Sequence, residues 1–412
     1  MQQATFAFAS MKSLITPSRA EALILPLRKP FPAEPCDLGR ATGRILRQEI
    51  KADHDFPPFD RVTMDGAAVR AAEIRSGRRS FRIRGMAVAG EAGAVLPPED
   101  GAAMEVMTGA ILPQGADCIL PCEWYRLEEH EEGILTLSEE VSPQAGAFIH
   151  ARASDHRSGE VLLSPGVRLG PVAISIAAAC GCDRPMVSAL PRVAVIGTGD
   201  ELVPVGEKPG PGQIRRTNIA ALSSALELAG YPLSETGCLS DDPESLRTAL
   251  AEILSRNDVV ILTGGVSKGK RDHVPEIARQ LGALPVLHGI AQRPGKPMAV
   301  WNIPEGPVIF GLPGNPVSAL VCLHRYLLPA LGNWSGAVPV ATPRMKLSGG
   351  FVRPPGLTLF LPVVAESNGS ARPLPVANSG DFAGLIGSTG FMELDETFAE
   401  GSEAPYFPWA AP

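Results

Sequence analysis

The stretch LTGGVSKGKRDHVPE, residues 262–276, decides how this chain is read. From Gly264 to Lys270 it has the P-loop spacing of glycine, four residues, glycine and lysine, but Arg271 stands where that loop needs a hydroxyl for magnesium. No Walker B partner accompanies it, so a nucleoside-triphosphatase reading is set aside. Two readings stay open: a plain strand–turn–helix connection, or a glycine turn whose backbone N–H groups approach an anion beside a helix start. The run before it, DVVILTGG, is dense in β-branched residues, and the run after it, HVPEIARQLG, is helical. The loop therefore belongs at the carboxyl end of a strand.

The same grammar extends to both sides. RVAVIGTGDEL, PLSETGCLSDD and GPVIFGL read as strands. TNIAALSSALELAG, PESLRTALAEILSRN and NPVSALVCLHRYLLPAL read as helices. Such alternation implies a mainly parallel sheet that binds ligands at the carboxyl ends of its strands. Upstream, residues 35–185 break into short β-like pieces punctuated by Gly and Pro, closed by a helix at PVAISIAAACGC. At the start, TPSRAEALILPL predicts a helix with Thr16 or Ser18 as cap, Pro17 in the first turn and Glu21 closing a capping box with Ser18. From PRMKLSGGFVRPPG onward, strand-length pieces and many turns predict a small β-barrel.

Composition narrows the class. A chain of 412 residues implies several cores rather than one, and its 45% apolar content can fill them. The 37 basic against 44 acidic side chains leave a net charge of −7, the wrong balance for a nucleic-acid binder, so any anion must meet a local cationic site. Seven cysteines without zinc-type spacing read as reduced thiols of a cytoplasmic protein. MQQATFAFASMK lacks the form of a signal peptide, and no apolar run reaches the ~18 residues of a membrane span.

At the strand ends, GTGDEL offers Glu201, LSDDP offers Asp241 and Asp242, and TGGVSKGKRD offers Gly264, Gly265, Ser267, Lys268, Lys270 and Asp272. Asp242 precedes Pro243 and reads as an ordinary helix cap, which leaves Asp241 as the better functional candidate. Asp272 could equally cap the next helix, and Glu201 could be a solvated loop residue. Carboxylates that converge beside an anion pocket make sense if a hard cation such as Mg2+ sits between them and phosphate oxygens. QRPGKPMAVW places Arg293 and Lys296 on a tight turn, where surface charge is the bland alternative. GLPGNPVSAL presents Pro313, Asn315 as cap and Pro316 at the first helical position, a helix start whose free N–H groups suit phosphate. Upstream, Asp65 and Thr108 lie on turns in TMDG and MTGA that spacing alone would not single out.

Taken in order, PPFDRVTMDGAAVR (57–70), VMTGAILPQGADCIL (106–120), RVAVIGTGDEL (192–202), VILTGGVSKGKRD (260–272), RPGKP (293–297) and GLPGNPVSAL (311–320) closely resemble the molybdopterin molybdenumtransferase family, which is related to the C-terminal part of gephyrin. The resemblance runs from about residue 12 to the end. It implies an enzyme that takes adenylylated molybdopterin and molybdate, with Mg2+, and releases AMP. It implies a multidomain α+β fold: a helical and β stalk from residues 11–50 and 145–188, a β-rich insert from 51–144, a three-layer α/β pterin- and nucleotide-binding domain with a mainly parallel sheet from 189–334, and a β-barrel from 335–412. On it, Glu201, Asp241 and Asp272 are expected to handle the metal and phosphate. Lys268, Lys270, Arg293 and Lys296 are expected to supply charge. Asp65, Thr108 and Asp155 are expected across the cleft, completed by the partner in a homodimer, and Ser379 is a further contact. Proton delivery is expected from carboxylic acids with raised pKa. A molybdopterin adenylyltransferase is a conceivable partner, while nucleic acid and membrane are not. A non-catalytic gephyrin-like scaffold and the adenylyltransferase itself are the rival readings. The chain departs from the common family pattern at Ala67, at ARASD before Asp155, at Arg293, and at Arg215 and Arg216, where Tyr and Asp are usual.

Overall fold

The computed structural model describes residues 14–128, 133–265, 273–376, 378–399 and 401–410. The chain divides into two compact units. One takes residues 49–164 and 171–183; the other takes residues up to Gln48, Pro165–Gly170 and everything from Arg184 onward.

The smaller unit is built on a six-stranded sheet in the order Cys118–Pro121, Gly66–Val69, Ala102–Val106, Ser80–Ala87, Ile134–Leu137, Tyr125–Leu127. Alternate residues of its second strand face opposite cores, Ala67 and Val69 on one side and Ala68 on the other. Gly66 has no substitute, because a Cβ there would lie 1.9 Å from the carbonyl oxygen of Leu120.

The larger unit holds the sheet expected from the alternating pattern. Its order is Leu233–Leu239, Val193–Thr198, Val259–Thr263, Val308–Leu312, Ala299–Asn302, Leu284–His288, with the first four parallel, Ala299–Asn302 antiparallel to them and Leu284–His288 antiparallel to Ala299–Asn302. Val193 and Val195 pack with Leu222, Leu226 and Leu331 on one face, whereas Ala194 and Ile196 pack with Leu250, Ile253 and Ile277 on the other. Three layers result. The C-terminal strands close a barrel: Thr358–Ala365 pairs with both Ser370–Pro373 and Gly390–Leu394, and the ring completes through Arg344–Leu347 and Glu403–Pro408. Gln292–Arg293 pairs with Thr358–Leu359, which ties the turn after it to the barrel.

Local starts follow the chain's signals in part. Asp242 caps Pro243–Arg256 by accepting from the Ser245 N–H at 2.9 Å, and Thr16 caps Pro17–Ile24 by accepting from Arg19 at 3.3 Å. The capping box does not form, because Glu21 turns to Arg325 instead. The helix expected over NPVSALVCLHRYLLPAL is α over Pro316–Cys322, π over Leu323–Leu327 and α again over Leu328–Trp334. Pro329 offers no N–H to the carbonyl of Arg325, so the ladder cannot run through unbroken there. No described helix is long and apolar enough to cross a membrane.

Cys322 lies under this π turn with no exposed surface. Burial pushes its thiol up to about 12, with a hydrogen bond from Gln292 pulling weakly the other way, against an ordinary value of 9.0. Because the folded value lies above the unfolded one, this contribution is complete below 9.0 and is lost as pH rises toward 12. Urea unfolding at about pH 10.5 should show about 2 kcal/mol less stability from this group than at about pH 8, and Cys322→Ala should remove that part of the slope. An identical slope in the variant would refute the assignment.

Candidate functional site

At the carboxyl ends of the parallel strands a cavity of about 500 Å³ is lined by Thr198, Glu201, Arg216, Asn218, Thr263, Gly264, Gly314, Asn315 and Pro316, among others. Asn218 ties its floor together, its Nδ2 donating to Thr263 Oγ1 and to the Gly314 carbonyl, both at 2.8 Å. The glycine turn is shaped by contact. A Cβ on Gly264 (φ +95°) would lie 2.6 Å from the Thr198 carbonyl oxygen, and one on Gly265 (φ +61°) 2.7 Å from Thr198 Oγ1. The Gly264 N–H is also spent, donating to the Leu312 carbonyl at 3.3 Å. Thr198 Oγ1, Arg216 Nε and Asn218 Oδ1 are buried without a hydrogen-bond partner among the described residues, and Thr198 is only 3% exposed. Unmet polar atoms gathered at one cavity mark it as a place where a polar ligand would recover their hydrogen bonds.

Glu201 and Asp241 come to the same end of the sheet, after Val193–Thr198 and Leu233–Leu239. The Asp241 N–H donates to Asp200 Oδ1 at 3.3 Å. Both carboxylates act on one thiol. Cys238 is pushed upward by burial first, pulled down by the nearby Arg216 guanidinium, and raised further by the charges of Glu201 and Asp241. Arg216 and these two acids therefore lie within electrostatic reach of Cys238. Arg215, its neighbour, is committed elsewhere, its Nε donating to the carbonyls of Val205 and Glu207 at 3.0 and 3.1 Å. Among the described residues, no three His, Cys, Asp or Glu side chains converge as a closed metal cage. Glu201 and Asp241 nonetheless supply the hard oxygen donors that magnesium accepts, and that ion commonly keeps most of its waters. Asp272, the third expected ligand, lies outside the described residues, as do Ser267, Lys268 and Lys270.

A second cavity, of about 830 Å³, shares Asn315 with the first. Arg293, Lys296, Pro313 and Ser379 line it. Both cations are exposed, and among the described residues neither has an ionic partner. Asn315 begins the helix as expected, but its side chain does not cap. Its Nδ2 donates to Ser379 Oγ at 2.8 Å, and the Ser379 carbonyl accepts from the Val317 N–H at 3.3 Å. The barrel thus uses part of the helix start that the sequence left free for phosphate.

Asp65, Thr108 and Asp155 belong to the smaller unit. Asp65 Oδ1 accepts from the Thr108 N–H at 2.6 Å and from its hydroxyl at 2.7 Å, and these bonds hold the carboxyl below its usual range against a weaker opposing effect of burial. Asp155 accepts from His150 Nε2 at 2.8 Å and is lowered chiefly by that bond. The expected acids with raised pKa are not these two, which are acceptors. Reading the sequence alone missed Thr198 and Asn218 as site residues and took Arg216 only as a departure. The TN pair at the start of Thr217–Leu228 was the one available signal.

The model of the "MoeA N-terminal region (domain I and II)" matches residues 15–181, and that of the "Probable molybdopterin binding domain" matches residues 194–333. The molybdopterin molybdenumtransferase of Synechocystis sp. is 39% identical over 381 residues, which span 90% of this chain and 94% of that one. That of Haemophilus influenzae is 33% identical over 309 residues, 74% of each chain. The crystal structure of the molybdopterin biosynthesis MoeA protein of Pyrococcus horikoshii superposes with a TM-score of 0.81 at 25% identity, covering 96% of this chain and all of that one. With both halves matched and similarity along nine-tenths of its length, the chain belongs to the molybdopterin molybdenumtransferase family.

Proposed function

We propose that this protein inserts molybdenum from molybdate into molybdopterin presented in adenylylated form, releasing AMP. The carrying observation is the pair of cavities that share Asn315, one bearing Glu201 and buried polar atoms without a partner among the described residues, the other the exposed cations Arg293 and Lys296. Molybdate and a pterin phosphate repel each other in water, so their approach needs fixed cations and N–H donors. Arg293 and Lys296 supply that charge on one side. Arg216 supplies it on the other, where the common family pattern has an acid. Thr198 and Asn218 orient the organic part of the substrate. Glu201 and Asp241, with Asp272, would hold magnesium, whose charge offsets that of the phosphate oxygens. Asp65, held by Thr108, and Asp155, held by His150, act as carboxylate acceptors contributed by the second copy in a homodimer.

The test is incubation of the protein with adenylylated molybdopterin, molybdate and magnesium, with AMP followed by chromatography. AMP release that depends on molybdate, and stops with a chelator, is expected; none from well-folded protein would overturn the reading. In the same assay, Asp65→Asn and Glu201→Gln proteins should each be nearly inactive and regain about a quarter of the wild-type rate when unfolded and refolded together, since random pairing leaves that share of sites intact. No recovery on mixing would remove the shared site.

A further inference from the structure

The turn that carries Arg293 and Lys296 is held from beneath by buried side chains. Gln292 is fully buried, and its Nε2 donates to the Pro294 carbonyl at 3.1 Å and to Cys322 Sγ at 3.6 Å, while its Oε1 accepts from the Tyr326 hydroxyl. Cys322 Sγ in turn donates to the Gly295 carbonyl at 3.8 Å. Two successive carbonyls inside the turn are thus bonded by the network, and the turn's own backbone adds bonds from Ile290 to Lys296 at 2.9 Å and from Met298 to Gly295 at 3.2 Å. Nothing fits between: at Gly295 (φ +93°) a Cβ would lie 2.5 Å from Gln292 Nε2 and 2.7 Å from Cys322 Sγ.

The π turn makes this reach available. All five residues of Leu323–Leu327 are buried, so Arg325 and Tyr326, adjacent in sequence, both bond inward, Arg325 to Glu21 and Glu393 and Tyr326 to Gln292. An ordinary α turn separates neighbours by about 100°, whereas a π turn is a common device for fitting an extra inward side chain near a functional site.

We infer that Gln292, Tyr326 and Cys322 are positioning residues that keep Arg293 and Lys296 directed together at the 830 Å³ cavity, and so set the affinity for the oxyanion substrate. The inference rests on the reading of that cavity as an anion site. Two like charges three residues apart repel, and on a loose turn each would swing away into water. A turn fixed in advance removes that ordering cost from binding. Gln292 and Cys322 act through the carbonyls of the turn, and Tyr326 acts through Gln292.

The experiment titrates sodium molybdate into full-length protein by calorimetry and measures steady-state AMP release, for wild type, Tyr326→Phe, Gln292→Met, Cys322→Ala, Cys322→Ser and the double variant Arg293→Ala/Lys296→Ala. Tyr326→Phe and Gln292→Met should raise Kd and KM for molybdate about tenfold while kcat changes less than about twofold, the mark of lost ground-state binding. Cys322→Ser, which keeps a donor for Gly295, should stay near wild type, and Cys322→Ala should not. Should Gln292→Met fail to fold, the hydroxyl deletion Tyr326→Phe decides the matter alone. Wild-type Kd and KM in Tyr326→Phe, alongside lost binding in the double variant, would overturn the positioning role and leave the anion site standing. Wild-type affinity in the double variant would overturn both.

Discussion

Glu201→Gln and Asp241→Asn should each lower kcat for molybdenum insertion about a hundredfold, the usual loss when one preorganised charge is removed from a site that stabilises developing charge. Stability should not fall with it, since Glu201 is exposed, Asp241 half-buried, and neither anchors a helix as Asp242 does. The local field offers a second readout that does not depend on turnover. Both carboxylates raise Cys238, and Arg216 lowers it. Either amide variant should therefore ionise this thiol at lower pH and speed its alkylation several-fold near pH 8, because the thiolate is the reacting form. Arg216→Gln should slow it. Peptide mapping of the alkylated protein separates Cys238 from the other six cysteines. Full activity in both amide variants would remove these residues from the reaction, and unchanged alkylation would remove them from the neighbourhood of Cys238.

The parts of this molecule that local physics controls were readable in the chain. The runs VAVIGT, VVILT and VIFGL are continuous and apolar because each strand is buried on both faces, and they lie side by side in one parallel sheet. Asp242 before Pro243 announced a cap and is one. What failed were inferences from a side chain's neighbours about a partner that lies far off. Glu21 sits three residues from Ser18 yet bonds to Arg325, 304 positions later. Asn315 has the form of a cap yet spends its amide on Ser379, 64 positions later, on the barrel. Arg215 and Arg216 are alike in sequence, but one bonds its own loop and the other brings a buried Nε to the cavity. Gly264 and Gly265 left open a plain connection or an anion-binding turn, and the close passage of Thr198, which requires glycine at both, was not visible in the chain. A helix cap or a strand period is decided within a few residues, whereas the end of a parallel sheet collects loops from the whole chain, and which side chains meet there depends on the completed fold.

Arg325→Leu should destabilise the protein by about 3–5 kcal/mol, the range for removing one partner of a buried ion pair. The guanidinium bridges three segments. Its Nη1 donates to Glu21 Oε2 at 2.9 Å on the N-terminal helix, its Nε donates to Glu393 Oε2 at 2.6 Å on a barrel strand, and its carbon lies 5.2 and 5.3 Å from the ring centres of Tyr326 and Phe407. Its side chain is 8% exposed and that of Glu393 14%, so water can replace little of what is lost. Burial alone would pull this arginine down, but the charge of Glu393 and its hydrogen bond, with the charge of Glu21, hold it above the ordinary value. The penalty comes mainly from the two carboxylates left behind, which yields a sharper expectation. Adding Glu21→Gln and Glu393→Gln to Arg325→Leu should restore a substantial part of the loss, because neutral amides tolerate the apolar surroundings. Arg325→Lys should fall between, as a single ammonium keeps the charge but cannot serve both acids with the planar fork. Urea unfolding midpoints of the four proteins measure all of this. A single Arg325→Leu variant within about 1 kcal/mol of wild type would mean that the pair is effectively solvated and that the barrel is fastened to the helices by apolar packing alone.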